Sequence, residues 1–173
     1  MNAPRLVLFL GVATLASGCN CAGREFTLSH TFHVHATADE AVCTTVRDQI
    51  NVGDDPSFVA VKQFVGHVEL RKLSVTVTDP RTDPSSVAAT GNGSVRVADA
   101  AGSAALTLGT YGSVPITLNS TKDIPLDAAA AKKLADLVLT PPNTFFIEAE
   151  GCSDVNPAFY DFRVDLTVYA GVF

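Results

Sequence analysis

The sequence predicts a mainly β protein, an antiparallel β-sandwich of about seven to eight strands with one or two short helices. Three observations lead to this fold class. Apolar and polar side chains alternate from Glu25 to Thr37, and they alternate again from Tyr160 to Ala170. Between these segments, shorter apolar stretches are separated by turn residues. A period of two indicates a strand that buries one face, and regularly spaced turns are typical of a sandwich.

The opening and closing strands are the longest elements that the pattern predicts. The buried face of the opening strand would carry Phe26, Leu28, His30, Phe32, Val34 and Ala36. The buried face of the closing strand would carry Tyr160, Phe162, Val164, Leu166, Val168 and Ala170. Because both strands are long and regular, we expect them to pair within one sheet. The polar face of the closing strand, with Asp161, Arg163, Asp165 and Tyr169, is a candidate contact surface.

The segment between residues 38 and 78 is mixed. Residues 42–46 fit either a short strand or a helical turn. Pro56 at a first helical position and Gly66 at a helix end predict a helix between them. Residues 68–78 read as a strand whose apolar phase changes, and a β-bulge near Arg71-Lys72 would reconcile the two phases.

Short strands and a second helix complete the predicted order. Residues 94–98, 104–109 and 114–118 read as strands separated by turns, and the Gly91 to Ser94 segment reads as a hairpin turn. Asp127 can cap an alanine-rich helix, which Pro141-Pro142 would end. Residues 145–150 then alternate as a strand that precedes the closing one.

Cys19 ends a segment that is typical of exported proteins. Arg5 provides a positive charge, residues 6–16 form an apolar run, and Ser17-Gly18 precede the cysteine. Small residues at this position indicate a signal-peptide cleavage site. The segment resembles the lipobox of bacterial lipoproteins, with Ala16 where leucine is most common. The resemblance implies that Cys19 is lipidated, with palmitate as an acyl chain, and becomes the mature N-terminus.

These features divide the chain into a lipoprotein signal peptide (1–18), a lipid-anchored tether (19–24) and one β-sandwich domain (25–173). The apolar run is shorter than the roughly 20 residues that span a bilayer, so attachment would depend on the lipid. Of the 12 basic residues only Arg5 is removed with the signal peptide, which leaves 11 against 18 acidic residues and a formal charge of −7. Because an acidic domain repels nucleic acid, we expect no nucleic-acid partner.

The four cysteines suggest one disulfide. An exported protein meets oxidising conditions, and we expect Cys43 to pair with Cys152 because both lie in the folded region. With Cys19 lipidated, three thiols remain and one is left over. Cys21 lies in the tether and is either free or paired with one of the other two, and a chain in which no cysteine pairs is the remaining alternative.

His33 and His35 form the main candidate metal site. Two positions apart on a strand, both imidazoles would lie on one face, which suits a transition metal if a neighbouring strand supplies a third ligand. His67, Glu148 and Glu150 are the candidates for that ligand. The alternative is that His33 and His35 lie on a solvated polar face and bind nothing, in which case the protein has no cofactor.

The remaining polar residues indicate no enzyme. The sequence has no Gly-x-Ser-x-Gly elbow, no Ser-x-x-Lys and no His-Glu-x-x-His motif. Glu148 and Glu150 could imitate a glycosidase pair, but an exposed strand face explains them as well. Acidic loops such as Asp79 with Asp83 could bind calcium, but turn chemistry accounts for these residues.

A second resemblance concerns the order of elements. A long opening strand, hairpins, an Ala/Leu helix ending in Pro-Pro-Asn, an aromatic strand ending at Glu150-Gly151 and a long closing strand look like uncharacterised β-sandwich lipoproteins of bacteria. This resemblance implies neither an activity nor a catalytic motif. We therefore expect a non-enzymatic binding or structural module in the cell envelope, with an envelope or surface protein as its possible partner. By analogy with the sorting rules of enteric lipoproteins, Asn20 after the lipidated position favours the outer membrane, facing the periplasm or the cell surface. A periplasmic metal-binding lipoprotein is the alternative.

Overall fold

The computed structural model describes residues 23–36, 43–60, 62–80, 90–154 and 158–172. Eight strands form two antiparallel four-stranded sheets. The first sheet has the order β1-β8-β3-β6 and the second has the order β2-β7-β4-β5. Apolar side chains from both sheets form one core between them. The predicted fold class, an antiparallel β-sandwich of seven to eight strands, is therefore confirmed.

The strands and helices follow one another along the chain with short connections. The strands are β1 Arg24–Ala36, β2 Cys43–Asn51, β3 Val65–Asp79, β4 Thr90–Ala98, β5 Leu106–Pro115, β6 Thr121–Ile124, β7 Thr144–Ser153 and β8 Ala158–Val172. The helices are α1 Pro56–Val59 and α2 Ala128–Leu139, with single 3₁₀ turns at Val52–Asp54 and Lys62–Phe64. In the part of the chain so described, no helix is long and apolar enough to cross a membrane.

The long first and last strands pair as the sequence predicts. β1 and β8 run antiparallel from the Arg24–Ala170 pair to the Ala36–Ala158 pair. The inward apolar side chains described on both strands are buried, and the rings of Phe32 and Phe162 stack with centroids 5.5 Å apart. β1 begins at Arg24, so the last residue of the predicted tether already belongs to the sheet. The rest of that tether and the signal peptide lie outside the described residues.

The predicted bulge in β3 is also confirmed. The pairing of β3 with β8 shifts register between Leu70 and Lys72. Val68 and Leu70 before the shift and Leu73 after it are all buried, although their spacing breaks strict alternation. One extra residue reverses the phase of a strand, and the bulge therefore keeps both halves of β3 facing the core.

The second sheet differs in detail from the prediction. β5 is one continuous strand where two were expected, and the Gly91 to Ser94 segment belongs to β4 and is not a hairpin turn. Gly93 is explained by packing, because a Cβ at this position would overlap the backbone carbonyl of Glu150 on β7. β6, which has only four residues, was not predicted at all.

The helices are partly as predicted. Asp127 caps α2 by accepting a hydrogen bond from the Ala130 amide at 2.9 Å, and Leu134 and Val138 are buried on its inner face. The expected helix from Pro56 to Gly66 is shorter, because α1 ends at Val59 and Gly66 lies inside β3. His67, which follows Gly66, is therefore an exposed strand residue.

Different strand ends and turns lie at the two ends of the sandwich. One end contains the start of β1, the end of β8, the start of β3 and the passage from β2 into the first 3₁₀ turn and α1. We call this the tether end. The opposite end, where β1 finishes and β8 begins, is the far end. Phe58 of α1 packs on Phe26 near the start of β1, with ring centroids 5.9 Å apart, and this contact fixes α1 at the tether end.

Candidate functional site

The polar face of the first sheet contains the residues that the sequence marks as a candidate contact surface. β8 lies between β1 and β3, so its outward side chains have neighbours on both sides. Asp165 faces Ser29 of β1 and Ser74 of β3, while Arg163 faces Thr31 and Thr76. Residues directly opposite on neighbouring strands are close enough to contact each other. The face is therefore a set of cross-strand rows of polar side chains.

Asp165 is the best-bonded member of this face. Its carboxylate accepts a hydrogen bond from Ser29 Oγ at 2.6 Å and shares the single N–H of Arg163 Nε between its two oxygens, at 2.8 and 3.0 Å. Its side chain is only 14% exposed although it lies on the outside of the sheet. Charge-assisted hydrogen bonds of this kind fix side-chain orientation. The charged groups at the centre of the face are thus fixed in orientation by their hydrogen bonds.

His33 is held by the same strand. Its Nδ1 lies 2.7 Å from Asp161 Oδ1, directly across the β1–β8 pair. The imidazole is 74% exposed, whereas the carboxylate is nearly covered. His35 faces Phe159 in the same register, but its side chain lies outside the described residues. The metal site predicted at His33 and His35 therefore stays a prediction, with one of its two ligands located.

The expected third ligands do not lie near His33. His67 faces Gly171 while His33 faces Asp161, so the two histidines are separated by about 33 Å along β8, at roughly 3.3 Å per residue. Glu148 and Glu150 lie on β7 in the second sheet. Among the described side chains, the one group of three potential ligands within reach of a common ion is Cys43, Glu150 and Cys152, and its two cysteines are joined in a disulfide.

His30 lies at the open edge between the sheets. Its Nε2 lies 2.7 Å from Asp48 Oδ2 of β2, so the pair bridges the edge strand of each sheet. The ring also contacts Phe32 edge-on at 4.8 Å. The apolar phase of β1 placed this histidine on the buried face, and the edge position with a carboxylate partner gives it a structural role.

Glu148 and Glu150 belong to an ionic network on the second sheet. Arg96 of β4 binds both, through Nη1 to Glu148 Oε1 at 2.8 Å and through Nη2 to Glu150 Oε2 at 2.7 Å. Arg47 of β2 approaches Glu148 from the other side at 3.8 Å, and its Nη2 donates to the Ser103 carbonyl at 3.0 Å. Two carboxylates bound to one guanidinium do not flank a substrate cleft, so the glycosidase-like arrangement is not formed.

A cation–π cluster lies at the tether end of the first sheet. The guanidinium of Arg71 lies 3.9 Å from the centre of the Tyr169 ring. It also contacts Glu25 at 2.9 Å and Glu69 at 3.5 Å, and the hydrogen bond from Arg71 to Glu25 raises the pKa of Arg71. A Cβ on Gly23 would overlap the Tyr169 ring, so a larger residue where the chain enters the sheet requires that ring to move. Sequence reasoning missed this cluster because its members are separated by the whole domain.

The predicted disulfide is confirmed. Cys43 and Cys152 face each other across the β2–β7 pair and are bonded, 109 residues apart in sequence. Nearby, the buried hydroxyls of Tyr111 and Tyr160 donate to the backbone carbonyls of Glu150 at 2.9 Å and Cys152 at 3.3 Å. Burial raises the pKa of Tyr160 to about 12. Both phenols therefore serve as structural donors to β7. Cys21 lies outside the described residues.

A shallow groove of about 530 Å³ lies between α2 and the first half of β3. β6 pairs only with the Leu73 to Thr76 part of β3, so α2 is the neighbour of the earlier part. Ala131, Ala135 and Leu139 of the helix face Val68 and Leu70 across the groove. Covering an unpaired strand edge with a helix is a common way to protect it from other chains.

Comparison with known proteins gives a likeness of fold only. No family model matches the chain, and no curated protein matches it. Among solved structures, Desmodium yellow mottle tymovirus has a TM-score of 0.35 and 10% identity over 94% of this chain and 95% of that chain. Turnip yellow mosaic virus gives 0.34 and 14% over 86% and 94%, and the Mud crab tombus-like virus gives 0.31 and 12% over 99% and 94%. Such scores carry no information about the function of this chain.

Proposed function

We propose that the protein is an exported lipoprotein that acts as a non-enzymatic binding or structural module, held at the outer membrane by acyl chains on Cys19. The lipobox-like segment that ends at Cys19 carries this proposal, because its residues define both the cleavage site and the anchor. Arg24, the first residue of β1, follows Cys19 by five residues. A tether of this length reaches at most about 18 Å, at roughly 3.5 Å per residue, so the sandwich is held next to the lipid headgroups.

The mechanism in this proposal is presentation of a rigid polar surface. The lipid holds the tether end, and the sheet faces and the far end are turned toward other molecules of the envelope. The face around Asp165 and Arg163 is the proposed contact surface, because its side chains are already held by hydrogen bonds, one across β1 and β8 from Ser29 and one along β8 from Arg163. A preorganised surface loses less conformational entropy when a partner binds. The proposed partner is an envelope or surface protein.

Replacing the lipidated cysteine tests the anchor. We expect Cys19→Ala to stop incorporation of labelled palmitate and to leave an uncleaved or mislocalised precursor in cell fractions. Cys21→Ala is the matched control, because it removes a thiol only two residues away and leaves the lipobox intact. Normal membrane fractionation and palmitate labelling of the Cys19→Ala protein would refute the anchor.

Crosslinking in living cells tests the partner. We expect one dominant partner protein to crosslink to the anchored protein and to be identified by mass spectrometry. Arg163→Glu should weaken that crosslink, because it places a third carboxylate beside Asp161 and Asp165. Lys132→Glu on the exposed side of α2 is the charge-matched control. A partner lost equally in both variants, or no partner at all, would argue against this contact surface.

A second candidate function is metal binding, and one observation favours it. Asp161 holds His33 through Nδ1, and a carboxylate behind a histidine commonly orients the other ring nitrogen toward a metal. We expect the double variant His33→Ala with His35→Ala to lose Zn²⁺ affinity in calorimetric titration, while His67→Ala, on the same sheet, retains it. Equal binding of Zn²⁺ by the parent and the double variant would refute this function.

A further inference from the structure

Large exposed apolar side chains gather at one end of the sandwich. Among the described residues four such side chains are exposed, and they are Val59 (53%), Phe64 (55%), Leu106 (46%) and Leu118 (60%). Single exposed apolar residues are normal on any protein. Three of these four, however, lie at the tether end, and only Leu118 lies at the far end. The asymmetry along the strand axis calls for a physical reason.

The strand pairing establishes this location. Val59 ends α1, which Phe58 fixes beside Phe26, and Phe64 directly precedes Val65, the partner of Val172 at the end of β8. Leu106 starts β5 in the second sheet, and its partner Val97 is next to Ala98, which faces Phe146 near the start of β7. The start of β7 in turn faces Asn51, where β2 leads into the first 3₁₀ turn. Leu118, by contrast, precedes Asn119, which bonds to Val77 near the end of β3.

Two carboxylates of the first sheet at this end are compensated by a cation. Arg71 contacts Glu25 and Glu69, which are the carboxylates of the first sheet nearest to the chain entry. Lys62 and Arg24 are exposed and basic, and long basic side chains can keep their charge in water while the stem contacts an apolar layer. When this end contacts a lipid surface, Glu25 and Glu69 can therefore leave water while paired with Arg71.

We propose that the tether end is a lipid-facing surface, and that Phe64, Val59 and Leu106 enter the interface of the bilayer that holds the anchor. This inference rests on the proposed lipidation of Cys19, whose short tether keeps the apolar side chains at a high effective concentration next to the membrane. Aromatic and aliphatic side chains on a surface element are typical of interfacial attachment. Because β1 rises about 40 Å over its length, at roughly 3.3 Å per residue, the far end then points away from the membrane.

The absence of tryptophan from the sequence gives a direct test. Phe64→Trp and Leu118→Trp each introduce one indole at an exposed position, one at each end of the sandwich. The full lipidated protein is reconstituted into neutral phosphatidylcholine vesicles, with or without bromine on the acyl chains. We expect the Phe64→Trp emission to shift to the blue on reconstitution and to lose intensity in brominated vesicles. The Leu118→Trp emission should do neither.

The outcomes separate the two proposals. If the protein floats with the vesicles but bromine quenches neither indole, the anchor stands and the lipid-facing surface is refuted. Equal quenching at both ends would also refute it, because the sandwich would then lie without a preferred orientation. If neither variant floats with the vesicles, the lipid anchor itself fails. Melting curves equal to that of the parent confirm that both variants remain folded.

Discussion

The disulfide between Cys43 and Cys152 allows a quantitative prediction. The bond joins facing residues of β2 and β7 that are 109 positions apart. In the chain-entropy model, a crosslink over such a loop restricts the unfolded chain by about 5 kcal/mol. Cys43 is exposed and Cys152 is half-buried, so the double variant Cys43→Ala with Cys152→Ala leaves little empty space in the core. We therefore expect it to lose about 5 kcal/mol of unfolding free energy, or roughly 10–20 °C in melting temperature.

Urea denaturation followed by circular dichroism measures this loss. The dependence on urea should steepen in the double variant, because the unfolded chain exposes more surface without the crosslink. The parent protein in reducing agent should unfold at the same urea concentration as the double variant. Cys21→Ala should unfold at the same urea concentration as the oxidised parent. A loss below about 1 kcal/mol would refute the argument, since the crosslink would then not be limiting the unfolded state.

Three further predictions concern the core, a glycine and a pH dependence. Phe162→Ala should cost about 3–5 kcal/mol in urea denaturation, because the ring is buried between the sheets. Gly93→Ala should lower the melting temperature, whereas Gly112→Ala, which has open space for a Cβ, should change it little. Hydrogen bonds from Thr90 lower the pKa of Asp154 below its ordinary value of 3.8. The stability that the Asp154 carboxylate contributes is therefore present above about pH 4 and is lost as the pH falls through the lowered pKa. In Asp154→Asn, the free energy of unfolding measured by urea denaturation should depend less on pH over that range.

The sequence predicts β1 and β8 well because their signal is local. Each strand buries one face, so buried apolar residues recur with a period of two between Phe26 and Val34, and the series is interrupted only by His30 at the sheet edge. The bulge in β3 could be predicted for the same reason. Val68 and Leu70 are out of phase with Leu73, and only an inserted residue allows all three to face one core.

Other elements could not be predicted because nonlocal packing determines them. Gly91 and Gly93 have the local chemistry of a turn, but β4 places Gly93 against the Glu150 carbonyl, where no side chain fits. β6 has one buried residue, Ile124, and its strand form depends on pairing with β3. The segment after Asp55 has helical spacing, but β3 begins at Val65 and ends the helical region early.

Contacts on the polar surfaces could not be predicted from the sequence for the same reason. The pattern placed Asp161 and Asp165 on an outer face, but their partners depend on the register of two strands more than 120 residues apart in sequence. The pairing of Ser29 with Asp165 and of His33 with Asp161 becomes visible only once β1 lies beside β8. The contacts of Arg96 Nη1 with Glu148 and of Arg96 Nη2 with Glu150 depend likewise on the register between β4 and β7. Which residue types occupy a face is local information, and which of them meet is not.

The distribution of these contacts explains how an acidic domain can present ordered surfaces. Carboxylates that face one another on a sheet destabilise it, unless a cation lies between them. Arg163 meets Asp165 on the first sheet, and Arg96 binds Glu148 and Glu150 on the second. Arginine suits this role because its planar group donates in several fixed directions. The broad faces thus have bound, spaced polar groups, while the large exposed apolar side chains of the described residues concentrate at the tether end. This division is what a module needs if one end contacts lipid and its faces remain available to other molecules.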